Sequence, residues 1–210
     1  MIGFDPDMIF RIPALLITLT IHEYSHARAA VALGDPTPRV LGRLTLNPIA
    51  HLDPIGLIMM WLFKFGWAKP VPINPGNFRD TKRGIILVSL AGPVSNIVLA
   101  FLTAVIIFLV SIFGWYNSEL MKVLNLTYSY NIIFAVFNLL PLPPLDGSKV
   151  VGSLLPGRQA YAFESLEAYG PWILLALVYL GVIGRIIGPL GDALSDFINA
   201  IINVIIRLIF

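Results

Sequence analysis

The sequence contains no cysteine and few charged residues, and each shortage excludes a class of protein. Without cysteine there is no disulfide framework and no thiolate ligand for a metal. Charged residues make up 12% of the 210 positions, about half the share found in soluble domains, and a net charge of +2 is too small for a nucleic-acid-binding surface. Apolar residues, by contrast, reach 57% with a mean hydropathy of +0.83. This composition excludes a disordered chain and indicates an integral membrane protein.

Long apolar stretches predict an all-α integral membrane protein, one membrane-embedded domain over residues 1–210 with about four transmembrane helices. The predicted spans cover residues 8–33, 85–113, 123–155 and 168–190. Each approaches or exceeds the roughly 20 residues needed to cross a bilayer. The residues before the first span lack the basic start of a signal peptide, so we expect this helix to be retained.

Residues 35–84 differ from the spans because they hold half of the lysines and arginines of the chain. By the positive-inside rule we expect this region to be cytoplasmic, with the N-terminus outside the cell membrane. An apolar piece at 55–65 is too short to cross the bilayer, which predicts a re-entrant or interfacial segment. The flanking stretches 43–47 and 69–74 are expected to be short extended pieces at the membrane surface.

The tail, residues 190–210, carries polar side chains that recur with the period of an α-helix. They are Asp192, Asp196, Asn199, Asn203 and Arg207. This spacing predicts an amphipathic helix. Two interpretations remain open, namely a helix at the membrane interface or against the other helices, and a polar seam for a partner or a second subunit.

Two of the three histidines lie in the first predicted span. His22 and His26 are four residues apart and therefore share one helix face, so that both imidazoles can bind one metal ion. Glu23 follows the first histidine and can reach a water on that metal, which is the HExxH pattern of zinc hydrolases. Ionisable groups inside a span are costly, and their presence indicates function rather than packing.

A zinc site needs a third protein ligand, and Asp146 is the strongest candidate. It ends the proline-rich stretch 138–146, and unwound backbone at membrane depth is tolerated only where protein or a cavity surrounds it. Asp146 could instead be a helix N-cap. Glu23, Asn96 and Asp146 all fall about 14–18 Å from the cytoplasmic edge. For Asn96 we weigh helix–helix hydrogen bonding against a role at the metal, and for His51 we expect a loop or helix-cap contact.

These motifs resemble those of the site-2 protease family of intramembrane zinc metalloproteases, in its compact branch without a PDZ domain. The matching residues are His22-Glu-Tyr-Ser-His26, Gly92-Pro-Val-Ser-Asn96 and Asn138-Leu-Leu-Pro-Leu-Pro-Pro-Leu-Asp146-Gly147. They cover roughly residues 8–155. The resemblance implies one Zn²⁺ per chain bound by His22, His26 and Asp146, with Glu23 as the base and Asn96 close to the site.

The resemblance also implies an activity and a partner. We expect hydrolysis of a peptide bond in or near the transmembrane segment of single-span membrane proteins, with Glu23 taking a proton from water and Asn96 as a candidate donor to the oxyanion. Region 35–84 is expected to pair with the unwound substrate as an added strand. The alternative is a membrane metal-ion transporter or metal-binding protein. A glutamate beside the first ligand and the lack of repeated halves favour the protease.

Overall fold

The computed structural model describes residues 7–56 and 68–209, and these residues are mainly helical. The α-helices that lie wholly within them are α1 Met8–Ala32, α2 Thr37–Val40, α3 Thr81–Ile112, α4 Ser118–Leu139, α5 Asp146–Leu154, α6 Gly157–Glu164, α7 Gly170–Tyr179 and α8 Val182–Ile209. Short 3₁₀ turns occupy Pro48–His51, Pro75–Asn77 and Glu167–Tyr169. The predicted all-α class is confirmed for this part of the chain.

Among the described residues, three helices are long and apolar enough to cross a membrane. They are α3, α4 and the Val182–Leu208 part of α8. Helix α1 has a sufficient length of 25 residues but does not reach the same apolar character. The count of four spans therefore stays a prediction, and the predicted re-entrant piece lies almost wholly in residues 57–67, outside the described residues.

The helix is interrupted inside two of the predicted spans, in one of them at the proline-rich stretch where the sequence indicates unwound backbone. The span 123–155 is not one helix, because α4 ends at Leu139 and α5 begins only at Asp146. The prolines between them cannot continue a helical hydrogen-bond ladder. The span 168–190 is also interrupted, since Gly181 adopts a left-handed φ of 71° between α7 and α8. Helix α8 then passes through residue 190 without a break.

Helices α1, α3 and α4 form the bundle that holds the candidate site. They approach one another through small side chains, and Ala14, Ala27, Ala100 and Ala135 are completely buried. Small residues let helix backbones come close together in membranes. Apolar side chains on the opposite side of α3 are exposed, as expected for a surface in contact with lipid.

Helix α8 covers part of this bundle. Its Ile198 and Ile202 are buried against Ala100 of α3 and Ile132 of α4. The polar residues that predicted an amphipathic tail, Asp192 to Arg207, are all exposed. The helix is thus amphipathic as expected, although it begins before residue 190.

Candidate metal centre

Helix α1 supplies two imidazoles at the centre of the bundle. His22 and His26 are 4% and 6% exposed. Their Nε2 atoms lie 3.0 Å apart, and the rings meet edge to face with centroids 4.6 Å apart. The i, i+4 spacing thus brings both rings to one point, as the sequence predicted.

The break between α4 and α5 delivers the carboxylate. Asp146 is the first residue of α5, and its Oδ2 lies 3.2 Å from His22 Nε2 and 3.1 Å from His26 Nε2. The N-cap position of α5 is occupied by Leu145, so the N-cap alternative for Asp146 is not supported. The chain folds back tightly here, because a β-carbon at Gly147 would stand 2.3 Å from the carbonyl oxygen of Leu139.

The hydrogen bonds of the two imidazoles determine which ring nitrogens carry a proton. His26 Nδ1 lies 2.7 Å from the backbone oxygen of Val88, and a carbonyl oxygen can only accept. Nδ1 therefore carries the hydrogen and Nε2 has a free lone pair. His22 Nδ1 lies 2.6 Å from Asn96 Oδ1, which likewise leaves Nε2 of His22 as an acceptor.

Three hydrogen-bond acceptors, the Nε2 atoms of His22 and His26 and the Oδ2 atom of Asp146, consequently lie 3.0–3.2 Å from one another. Such an arrangement repels unless a cation lies between the atoms. Ligand atoms on a tetrahedral zinc with bonds of about 2.0–2.1 Å lie about 3.3 Å apart, close to the observed separations. His22, His26 and Asp146 form a group of potential metal ligands within the part of the chain that the structure describes. The donor set fits zinc.

Gly92 makes room for this group. A β-carbon on Gly92 of α3 would stand 2.4 Å from His26 Nε2 and 2.7 Å from His22 Nε2. Helix α3 therefore passes directly beside the ligand atoms, and only a residue without a side chain fits there. The sequence motif Gly92-Pro-Val-Ser-Asn96 thereby places both the glycine and the asparagine at the centre.

Glu23 lies beside the ligands in sequence and is 8% exposed. Its Oε2 accepts a hydrogen bond of 3.0 Å from the backbone N–H of Val71. Val71 belongs to residues 68–74, which we call the capping segment. The long-range contact between this segment and α1 was not predicted from the sequence.

Arg43 holds the capping segment in place. This buried arginine donates to the carbonyl oxygens of Lys69 and Pro70 at 2.6 and 3.1 Å. His51 supports the same loop, because its Nε2 donates to the Thr45 carbonyl at 2.8 Å and its own carbonyl accepts from the Lys69 N–H at 2.9 Å. His51 thus makes loop contacts, the role expected from the sequence. Residues 43–47 contain bends rather than an extended strand.

Asp35 ties the other end of the capping segment to α1. Its carboxylate accepts hydrogen bonds from the Thr37 N–H and hydroxyl, from the Asn74 N–H and from Asn77 Nδ2. Burial of this carboxyl group opposes ionisation, but these four hydrogen bonds outweigh it and lower the pKa of Asp35 below its ordinary value.

Asn96 lies against His22 but is not placed as a donor to a reacting carbonyl. It is completely buried, and its Nδ2 donates to Asn131 Oδ1 at 2.7 Å and to the Thr18 carbonyl at 3.3 Å. Both amide hydrogens are engaged, so the geometry supports orientation of His22 rather than the oxyanion role. Sequence analysis did not identify Asn131, although a polar residue within an apolar span is a signal for such a site.

Known proteins resemble this chain over most of its length. The profile of peptidase family M50 matches residues 114–181, which include Asp146. The Bacillus subtilis protein named "Putative zinc metalloprotease YwhC" is 36% identical over 191 residues, or 89% of this chain and 87% of that protein. Two proteins named "Putative zinc metalloprotease Rip2" are 33% identical in Mycobacterium tuberculosis H37Rv and 31% identical in Mycolicibacterium smegmatis. They match 80% and 82% of this chain and 63% and 66% of their own lengths.

No solved structure gives a significant match. The identity and coverage of the Bacillus protein are sufficient to assign the family, and the apolar helices agree with it. The chain therefore belongs to peptidase family M50, the family of site-2-type membrane metallopeptidases.

Proposed function

We propose that this chain is an intramembrane zinc protease that hydrolyses a peptide bond in or near the transmembrane segment of single-span membrane proteins. The observation that carries the proposal is the convergence of His22, His26 and Asp146, with three acceptor atoms within 3.2 Å of one another. Glu23 follows the first of these residues on the same helix. The names of the curated relatives support the same chemistry, and disfavour a metal transporter.

Zinc held by these ligands would supply a Lewis acid for the attacking water and for the reacting carbonyl. Glu23 would take the proton of the water and later pass it to the leaving amine. Its Oε2 is already bonded to the Val71 N–H, whereas Oε1 makes no hydrogen bond to the described residues. Oε1 is therefore the oxygen available for proton transfer, and the Val71 N–H keeps the carboxylate from rotating.

The substrate must present an unwound peptide bond to this buried site, because the carbonyls of a transmembrane helix are bonded within the helix. Strand addition by region 35–84 remains our proposal for this step. Residues 69–71 of the capping segment have few backbone groups free to pair with a substrate strand. The N–H groups of Lys69 and Val71 already donate hydrogen bonds within the protein. The carbonyl oxygens of Lys69 and Pro70 already accept hydrogen bonds from Arg43. Pairing would involve another part of the region.

The proposed setting is the cell membrane. Seven basic residues in region 35–84 favour a cytoplasmic position for this region by the positive-inside rule. The N-terminus of α1 would then lie outside, and the capping segment would approach the ligands from the cytoplasmic side. Substrates would be cleaved at the level of His22, inside the bilayer.

The test is the variant Glu23→Gln, purified and reconstituted in vesicles with a panel of single-span proteins. We expect cleavage to be abolished while one zinc per chain remains bound, because Glu23 is not a ligand. Glu164→Gln is the matched control, since Glu164 is exposed on α6. Retained cleavage in Glu23→Gln, or loss of zinc together with cleavage, would contradict the assignment.

A further inference from the structure

We propose that Asn131 of α4 is a positioning residue that fixes the metal-binding tautomer of His22 through Asn96. The inference rests on the proposed zinc site. Asn131, Asn96 and Thr18 are all completely buried, and they lie on α4, α3 and α1. Of these three side chains, only that of Asn96 is hydrogen-bonded to a proposed ligand, so Asn131 acts on the centre through Asn96.

The orientation of the Asn96 amide determines whether His22 can bind a metal. With Oδ1 toward the ring, Asn96 accepts the Nδ1 hydrogen at 2.6 Å and Nε2 keeps its lone pair. If the amide turned over, its NH₂ group would donate to Nδ1 and favour the tautomer with hydrogen on Nε2. An N–H group at that position cannot coordinate zinc.

Backbone carbonyls, which can only accept, fix which atoms donate and which accept in the hydrogen bonds that link Asn96 to Asn131 and Thr18. Its Nδ2 donates to Asn131 Oδ1 and to the Thr18 carbonyl. Asn131 is itself fixed because its Nδ2 donates to the Thr127 carbonyl at 2.8 Å and to Thr18 Oγ1 at 2.9 Å. The Thr18 hydroxyl in turn donates to the Ala14 carbonyl at 2.9 Å. A carbonyl oxygen only accepts, so neither amide can turn over without losing bonds.

The two histidines differ in this respect. His26 donates Nδ1–H directly to the backbone of Val88 and needs no side chain to select its tautomer. His22 depends on two buried amides carried by α3 and α4. Helix α4 thereby contributes to the centre although it carries none of the three proposed ligands.

The experiment measures zinc affinity of the full-length protein in detergent by competition with a chromophoric chelator. Asn131→Leu keeps the side-chain size but removes both the acceptor and the donor. We expect zinc affinity to fall about 10- to 100-fold, the range typical of changes behind a metal ligand. Thr18→Val removes one of two acceptors for Asn131 Nδ2, and we expect a smaller fall. This variant keeps the test available if Asn131→Leu does not fold.

Thr103→Val is the control, because Thr103 is buried on α3 and bonds only to the Leu99 carbonyl of its own helix. We expect wild-type zinc affinity for it. The absorption spectrum of bound Co²⁺ should change in Asn131→Leu and not in Thr103→Val.

A purely structural role for Asn131 would give a different pattern. The unfolding temperature of the metal-free protein would fall, while zinc affinity and the Co²⁺ spectrum stayed the same. That result, or an equal loss of affinity in Thr103→Val, would overturn the inference. Absence of zinc binding in the wild type would overturn the proposed function as well, whereas wild-type zinc binding by Asn131→Leu would overturn this inference alone.

Discussion

Gly92 of α3 faces His26 of α1 so closely that a β-carbon on the glycine would stand 2.4 Å from the histidine Nε2. Real β-carbons do not approach other atoms at this distance. The imidazole cannot move aside freely, because its Nδ1 is bonded to the Val88 carbonyl. The contact between Gly92 and the imidazole of His26 therefore limits how closely α1 and α3 approach each other.

The substitution Gly92→Ala should consequently weaken metal binding. Overpacking of this kind costs about 1–3 kcal/mol, which corresponds to about 5- to 150-fold in zinc affinity. Zinc content and chelator competition measure the effect. Gly188→Ala on α8 is the control, since nothing lies within 4 Å of a β-carbon there. Unchanged zinc binding by Gly92→Ala would show that α3 does not pass as close to the ligands as described.

Removal of zinc by a chelator should lower the unfolding temperature, because only the folded chain brings the three acceptors together. Zinc at 100 times its Kd would restore about 2.7 kcal/mol. In Asp146→Asn the side-chain NH₂ can donate to the lone pairs of the histidines. We therefore expect the metal-free variant to be at least as stable as the metal-free wild type, with no response to zinc.

Asp192→Asn, on the exposed face of α8, is the control for this comparison and should respond to zinc like the wild type. Thermal unfolding with and without zinc gives both results. A zinc-dependent rise in unfolding temperature for Asp146→Asn would remove Asp146 from the ligand set.

Arg43→Gln should lower kcat without loss of zinc. The shorter side chain cannot reach both carbonyls of the capping segment, so the Val71 N–H would no longer hold Glu23 in one place. Displacement of a catalytic group by about 1 Å can cost about 100-fold in rate. Cleavage kinetics and zinc content are the measurements, and Arg39→Gln, on an exposed residue of α2, is the control. A wild-type kcat in Arg43→Gln would show that the capping segment does not contribute to catalysis.

Asp35 predicts a dependence of stability on pH. Its pKa is lowered in the folded protein, so its stabilising contribution is present above the ordinary value of 3.8 and is lost as the pH falls below it. Asp35→Asn should cost about 2 kcal/mol at pH 7, where hydrogen bonds to a charged group are lost, and should flatten the decline below pH 4. Unfolding temperatures across this range would test the prediction. Parallel curves for variant and wild type would contradict it.

The candidate site could be predicted from the sequence where local geometry decides. The i, i+4 spacing of His22 and His26 has one outcome on a helix, and the prolines before Asp146 end α4 wherever it packs. The contact between Glu23 and Val71 joins residues 48 positions apart. No periodicity encodes such a contact, because it depends on how the loop folds over the bundle.

The helix boundaries also divide into those that local sequence indicates and those that it does not. Hydropathy does not register a break inside an apolar stretch, and within the predicted span 123–155 only the prolines indicate that the helix ends near Leu139. Gly181 marks the true break within 168–190, whereas Pro189 lies inside α8 and does not end it. Asn131 could be recognised as polar at membrane depth, but its partners depend on which faces of α1, α3 and α4 meet.

The separation of the ligands along the chain affects the order of biosynthesis. His26 and Asp146 are 120 residues apart, and the carboxylate enters only after α1, α3 and α4 have been made. A growing chain that has made only its first helix holds two imidazoles but cannot yet bring the third proposed ligand to them. The proposed metal centre is therefore incomplete during translation until the region after α4 has emerged and folded back.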